Sequence, residues 1–162
     1  MKNMRSETCC LTGHRDIPAG ALPRLSAELE QILRGLIAEG VRYFGAGGAL
    51  GFDTLAAETV LRLRCQYPQI RLIQVLPCRD QTKGWSPWDV LKYERIKARA
   101  DQVVYTGESY VPGCMHRRNR HLVDHSAVCV AYCTRSTGGS AYTVNYAARQ
   151  GLRVIFLGGK TE

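Results

Sequence analysis

The chain switches repeatedly between short, near-continuous apolar runs and longer stretches in which apolar residues return every third or fourth position. Thr8, Cys9, Cys10, Leu11 and Thr12 read as a buried strand, and residues 13–18 as a polar turn leading into a helix. That helix carries Leu22, Leu25, Leu29, Ile32, Leu33, Leu36 and Ile37 on one face and stops near Glu39, where Gly40 offers a left-handed cap. A second strand over 41–46 runs into the glycine-rich stretch 45–51. Beyond it Phe52, Leu55, Ala56, Thr59, Val60 and Leu63 resume helical spacing and end before Tyr67-Pro68. Residues 70–76 form a third strand, and the long connection 79–88, with Trp85 and Trp88, reads as a lid or binding loop. The pattern then predicts a helix over 89–100, a strand over 102–105, a loop over 107–113 and a short helix over 115–125. The most apolar strand, 127–132, is followed by a second glycine turn at 137–140, a helix through 148 and a last strand over 153–157.

Strands that alternate with helices, several of them apolar on both faces, predict an α/β fold: a Rossmann-like three-layer sandwich with a mostly parallel sheet. In such sheets ligands sit outside the carboxyl ends of the strands, where the strand order reverses. The informative polar clusters all follow strands, at 13–15, 47–53, 77–81 and 137–143, so a single crevice is expected to gather them.

Composition narrows the partners. Lys and Arg number 22 against 14 Asp and Glu, a net charge of +8 that favours phosphorylated small molecules, nucleic acid or acidic surfaces. The first residues lack the apolar core of a signal peptide, and no apolar run is long enough to cross a bilayer, so a cytoplasmic location without membrane contact is expected. Seven cysteines, an odd number, read as thiols in a reducing compartment.

The candidate chemistry is that of anion binding. Gly47, Gly48 and Gly51 before one helix, and Gly138, Gly139 and Ser140 before another, can present backbone N–H groups and a helix N-terminus to phosphate. The plainer alternative is a pair of tight connections, with Asp53 capping its helix. Gly13, His14 and Arg15 follow the first strand, where a guanidinium fork and an imidazole suit a phosphate, or else form a solvated turn. Residues 116–121 form the densest basic cluster; on a helix Met115, Asn119, Leu122 and Val123 share one side, leaving Arg117, Arg118, Arg120 and His121 spread around the rest. An anion or carboxylate is expected to face them, Asp124 being nearest. No spacing supports a zinc tetrad, a Gly-x-Ser-x-Gly elbow or a Walker lysine. The dinucleotide fingerprint is imitated only loosely, and no acidic residue ends the next strand to hold a ribose.

In order along the chain, Thr12-Gly13-His14-Arg15, Gly47-Gly48-Ala49-Leu50-Gly51-Phe52-Asp53 with Glu58, Leu76-Pro77 with Gln81 and Trp85, Arg118-Asn119-Arg120, and Gly138-Gly139-Ser140 with Tyr142-Thr143 resemble the YpsA-like family (DUF1273) of the SLOG superfamily. That superfamily is named for the DNA-processing protein DprA and the cytokinin-activating LOG enzymes. The resemblance implies one SLOG-type Rossmann-like domain over 1–162, with glycine turns that bind a nucleotide-derived ligand. LOG-type phosphoribohydrolases carry Pro-Gly-Gly-x-Gly-Thr-x-x-Glu at the last helix. The run Thr137 to Asn145 lacks that proline, the third glycine and the glutamate, and Asn145 cannot act as a carboxylate base.

Three expectations follow. The first is a nucleotide-binding or nucleotide-sensing protein in which Gly13, His14, Arg15, Gly47, Gly48, Gly51, Arg118, Asn119, Gly138, Gly139, Ser140 and Thr143 line the ligand site. The second is an N-glycosidase or phosphoribohydrolase acting on a nucleotide, with Glu58 or Asp53 as its acidic group. The third is nucleic-acid binding, as in the DprA relatives. Cofactors and the oligomeric state, a homo-oligomer included, are left open.

Overall fold

The computed structural model describes residues 4–158. Six strands, β1 (Thr8–Gly13), β2 (Tyr43–Ala46), β3 (Arg71–Leu76), β4 (Gln102–Tyr105), β5 (Val128–Tyr132) and β6 (Arg153–Phe156), form one sheet in the order β4-β3-β2-β1-β5-β6. Every adjacent pair is parallel. Five helices connect them: α1 (Leu22–Ala38), α2 (Phe52–Arg64), α3 (Pro87–Arg99), α4 (Cys114–Asp124) and α5 (Gly139–Arg149). Among the described residues no helix is long and apolar enough to cross a membrane.

The sheet is covered on both faces, and β1 shows how. Its side chains alternate, so Cys9 and Leu11 pack with Leu29 and Leu33 of α1 and Phe52 and Val60 of α2, while Cys10 packs on the opposite side with Leu122 and Val123 of α4 and Ala147 of α5. Leu29 and Leu33 are fully buried, each worth about 1.5–3 kcal/mol of transfer free energy. All seven cysteines are free thiols; Cys10 and Cys129 are register partners on adjacent strands.

The element boundaries differ from the expected ones where caps decide them. Val41 does not open β2; its N–H donates to Leu36 O at 3.0 Å and closes the end of α1, with Gly40 at φ +106°. α3 starts at Pro87 because Ser86 Oγ accepts from the Asp89 N–H at 3.2 Å and proline suits the first helical position. Trp88 therefore belongs to the first turn of α3 and not to a lid. Trp85 remains in the loop, edge-on to Tyr93 with ring centroids 5.6 Å apart. Two short 3-10 turns, Met4–Glu7 and Ala19–Ala21, had no periodic signature.

The strand order sets the crevice. From β1 the chain moves outward through β2, β3 and β4, then returns to pair β5 on the other side of β1. The connections leaving β1 and β5 therefore diverge to opposite faces of the sheet, and a gap opens beyond their carboxyl ends.

Candidate functional site

That gap is a cavity of about 310 Å³ lined by Gly13, His14, Arg15, Asp53, Arg118, Asn119, Gly138, Gly139 and Ser140. It draws on the turns after β1 and β5, the first turns of α2 and α5, and the inner side of α4.

The turn after β1 is pinned from below. His14 N–H donates to Tyr132 O at 3.3 Å, and His14 O accepts from Phe52 N–H at 3.0 Å, so the turn is tied both to β5 and to the start of α2. Gly51, at φ +78°, lies flat against the Arg15 carbonyl, and a Cβ on Gly13 would fall 2.5 Å from the Phe52 ring. Both glycines serve close backbone approach. The buried His14 ring accepts the Thr134 N–H at Nε2, 2.8 Å away, which leaves Nδ1 as the protonated nitrogen of a neutral imidazole. Burial, reinforced by nearby Arg135, pulls its pKa below the ordinary histidine value. His14 thus enters the site as a neutral polar group rather than a cation.

Arg118 supplies the buried cation. The i, i+4, i+8 set Cys114, Arg118 and Leu122 forms the inward stripe of α4, so this arginine points inside and does not belong to the solvated part of its basic cluster. Its Nη1 donates to Gly47 O and, at 3.4 Å, to Val75 O, while Nε donates to Asn119 Oδ1 at 2.8 Å. Asp53, from the helix layer on the opposite face, accepts the Ala49 N–H at 3.1 Å. Burial raises the Asp53 pKa from its ordinary carboxylate value, against the opposing pull of Arg118, the Ala49 N–H and Arg15. Burial also lowers the Arg118 pKa, but a guanidinium stays protonated. The expected partner of the basic cluster, Asp124, instead accepts the Tyr146 hydroxyl at 2.7 Å.

The opposite wall is the start of α5. Gly138 adopts φ +100°, no side chain caps the helix, and Gly138 and Gly139 are exposed. The first N–H groups of an eleven-residue helix therefore open on the cavity with the positive end of the helix dipole.

The remaining expected residues stand elsewhere. Gly47 is sealed beneath Arg118, and Gly48, at φ +79°, faces Leu76, Tyr93 and Gln81 on the other side of the turn. Gly51 supports the floor, and the Thr143 hydroxyl is buried and donates to Gly139 O at 3.0 Å within α5. Glu58 is exposed and lies in a separate groove between α2 and α3 with Arg62 and Arg95. Sequence reasoning did not single out Asp16, Arg135 or, beyond its place in the 137–143 cluster, Thr137, which also line the cavity. Their signal was positional: each lies within three residues of a named glycine or arginine in a turn that follows a strand.

Comparisons with known proteins agree with this architecture. The family model described as the YspA SLOG family matches residues 12–154. The SPbeta prophage-derived protein YoqJ of Bacillus subtilis is 30% identical over 139 residues, covering 78% of this chain and 81% of YoqJ. A UPF0398 protein of Bacillus pumilus is 29% identical over 147 residues, 85% of this chain and 79% of that protein. Among solved structures, DNA processing protein A from Streptococcus pneumoniae superposes with a TM-score of 0.71 at 19% identity over 97% of this chain. The match spans about half of that protein, 52% of its chain. DNA processing protein A from Helicobacter pylori, described for its single-stranded DNA binding mode, superposes with a TM-score of 0.67 at 18% identity, over 94% of this chain and 66% of that one.

Proposed function

The chain belongs to the YspA SLOG family, and from that premise we propose that its crevice binds a nucleotide-derived anion, such as a nucleoside phosphate or an ADP-ribose derivative, as a sensor or carrier. The observation that carries the reading is the meeting of an uncapped α5 N-terminus with the buried Arg118 across one cavity. Arg15 and Arg135 stand at its rim, opposed by Asp16 and by an Asp53 whose burial disfavours its charge. Phosphate oxygens suit both walls: the N–H groups at the helix start donate to no side-chain cap, and a guanidinium forms charge-assisted hydrogen bonds to phosphate. The cavity volume of about 310 Å³ lies at the small end of ligand sites, which favours a mononucleotide-sized portion of the ligand inside it.

A thermal-shift and calorimetric screen with AMP, ADP, GMP, GDP, NAD and ADP-ribose tests this. Saturation at a hundredfold excess over Kd stabilises a fold by about 2.7 kcal/mol, a rise of several degrees in Tm. Arg135→Glu should abolish the shift without unfolding the protein. Absence of a shift with every ligand in the screen overturns the reading.

A second reading is favoured by Asp53 itself. A buried carboxyl whose pKa burial shifts upward, facing a nucleotide site, has the character of a general acid. It suits N-glycosidic cleavage, in which the acid protonates the departing base, and chromatography of nucleotides incubated with the protein would reveal free base. Nucleic-acid binding is a third reading, supported by the +8 charge and by the fold shared with the single-stranded DNA binder from Helicobacter pylori.

A further inference from the structure

The outer face of α3 carries a feature that the crevice does not use. Trp88 is 80% exposed, the most exposed large hydrophobic side chain among the described residues. At 100° per residue Trp88, Lys92, Arg95 and Arg99 fall within about 60° of arc, one stripe extending for about 16 Å along the helix. Lys92, Arg95 and Arg99 are all exposed, and their side chains make no hydrogen bond or ion pair among the described residues. The absence of pairing is notable on this surface, because neighbouring cations are matched: Arg62 by Glu30 at 2.7 Å, Arg64 by Asp101 at 2.7 Å and Lys97 by Glu94 at 3.0 Å. The stripe borders a groove of about 370 Å³ between α2 and α3, whose only carboxylate is Glu58.

We propose that this stripe is a docking surface for a single-stranded polynucleotide, with Trp88 stacking on a base and Lys92, Arg95 and Arg99 meeting successive phosphates. Three unmatched cations in line repel one another, and a polyanion of matching direction relieves that repulsion while releasing its own counterions. An exposed indole at the end of the same line adds a stacking platform for base faces, which single strands expose and a paired duplex conceals. The inference is independent of the crevice: no residue of the stripe lines it, and a strand bound here would lie along the face covered by α2 and α3.

The test is fluorescence anisotropy with labelled dT20, U20 and a 20-base-pair duplex across a salt series. The expected result is binding of both single strands in preference to the duplex, with log K falling against log salt at a slope of about −2, as three phosphate contacts at −0.7 each require. Lys92→Glu/Arg95→Glu/Arg99→Glu should weaken binding at least tenfold, and Trp88→Ala about tenfold, the stacking of one base. Circular dichroism should show both variants folded, as expected for exposed positions. Arg135→Glu, at the crevice, should leave oligonucleotide binding unchanged even where it abolishes nucleotide binding, so the two proposals fail separately. The proposal is overturned if the triple variant binds as tightly as the native protein, or if Arg135→Glu alone abolishes binding. It is also overturned if sedimentation shows the triple variant losing self-association with oligonucleotide binding unaltered, which would assign the stripe to a second copy of the chain.

Discussion

Arg118 Nη1, reaching from α4, donates to the carbonyl of Gly47 at the end of β2, and the same glycine lies beneath the carboxylate of Asp53. A Cβ at position 47 would sit 2.9 Å from Asp53 Oδ2 and against the guanidinium itself. Gly47 is thus a packing requirement of the buried pair rather than a phosphate cradle of its own. Gly47→Ala should cost about 1–3 kcal/mol, the usual range for overpacking, measured as a lower urea midpoint with an unchanged m-value. Because the displaced Arg118 faces the cavity, nucleotide affinity should fall in the same variant.

Gly139 contrasts with Gly47. No atom lies within 4 Å of a Cβ built there, and its φ lies outside the left-handed region, so neither packing nor backbone conformation demands glycine. Gly139→Ala should therefore leave stability within about 0.5 kcal/mol of the native protein. If phosphate rests on the first turn of α5, the added methyl intrudes on it, and calorimetry should record at least a tenfold loss of affinity. A variant equal to the native protein in both properties would remove this turn from the site.

These two glycines also mark what the sequence made legible. The strand-turn-helix alternation placed the turns after β1, β2 and β5 at one edge of a parallel sheet, because chain order and parallel pairing leave them nowhere else. Which member of each turn faces the cavity was not legible, since that depends on contacts distant in sequence: Arg118 on Gly47, Leu76 on Gly48, Arg15 on Gly51. One distinction was available in the periodicity. Asp53 and Glu58 are five residues apart, about 140° around a helix, so they cannot both face one crevice. Arg118, similarly, is spaced with Cys114 and Leu122 on the stripe that turns inward.

His14 should make stability fall on mild acidification. Burial and the proximity of Arg135 lower its folded pKa below the unfolded value of about 6.5, so below that pH the unfolded chain gains a proton that the native state resists. The contribution is fully present above the unfolded pKa and is lost as pH falls through the folded one. Urea denaturation should show a smaller unfolding free energy at pH 5.5 than at pH 7.5, and His14→Gln should flatten this difference. Glutamine retains an acceptor for the Thr134 N–H, so a variant with an undiminished slope would place the titration on another group.

Asp53 works with the opposite sign, and a ligand of constant charge can detect it. Its folded pKa is raised, so in the interval between the unfolded value of about 3.9 and the folded one the native protein holds a proton that the unfolded chain has lost, and this group's contribution to stability declines as pH rises. In the crevice, the protonated form leaves Arg118 and Arg15 uncontested for phosphate, whereas the ionised form competes for them and repels the ligand. ADP-ribose keeps the charge of its pyrophosphate diester over pH 5–8. Its affinity should therefore rise as pH falls through the folded pKa of Asp53, with proton uptake visible as a dependence of calorimetric heat on buffer ionisation enthalpy. Asp53→Asn should remove both the pH dependence and the uptake, while Glu58→Gln, on the outer face of α2, should preserve them. The same pair of variants decides the hydrolytic reading: base release that survives Asp53→Asn excludes this carboxyl as its acid.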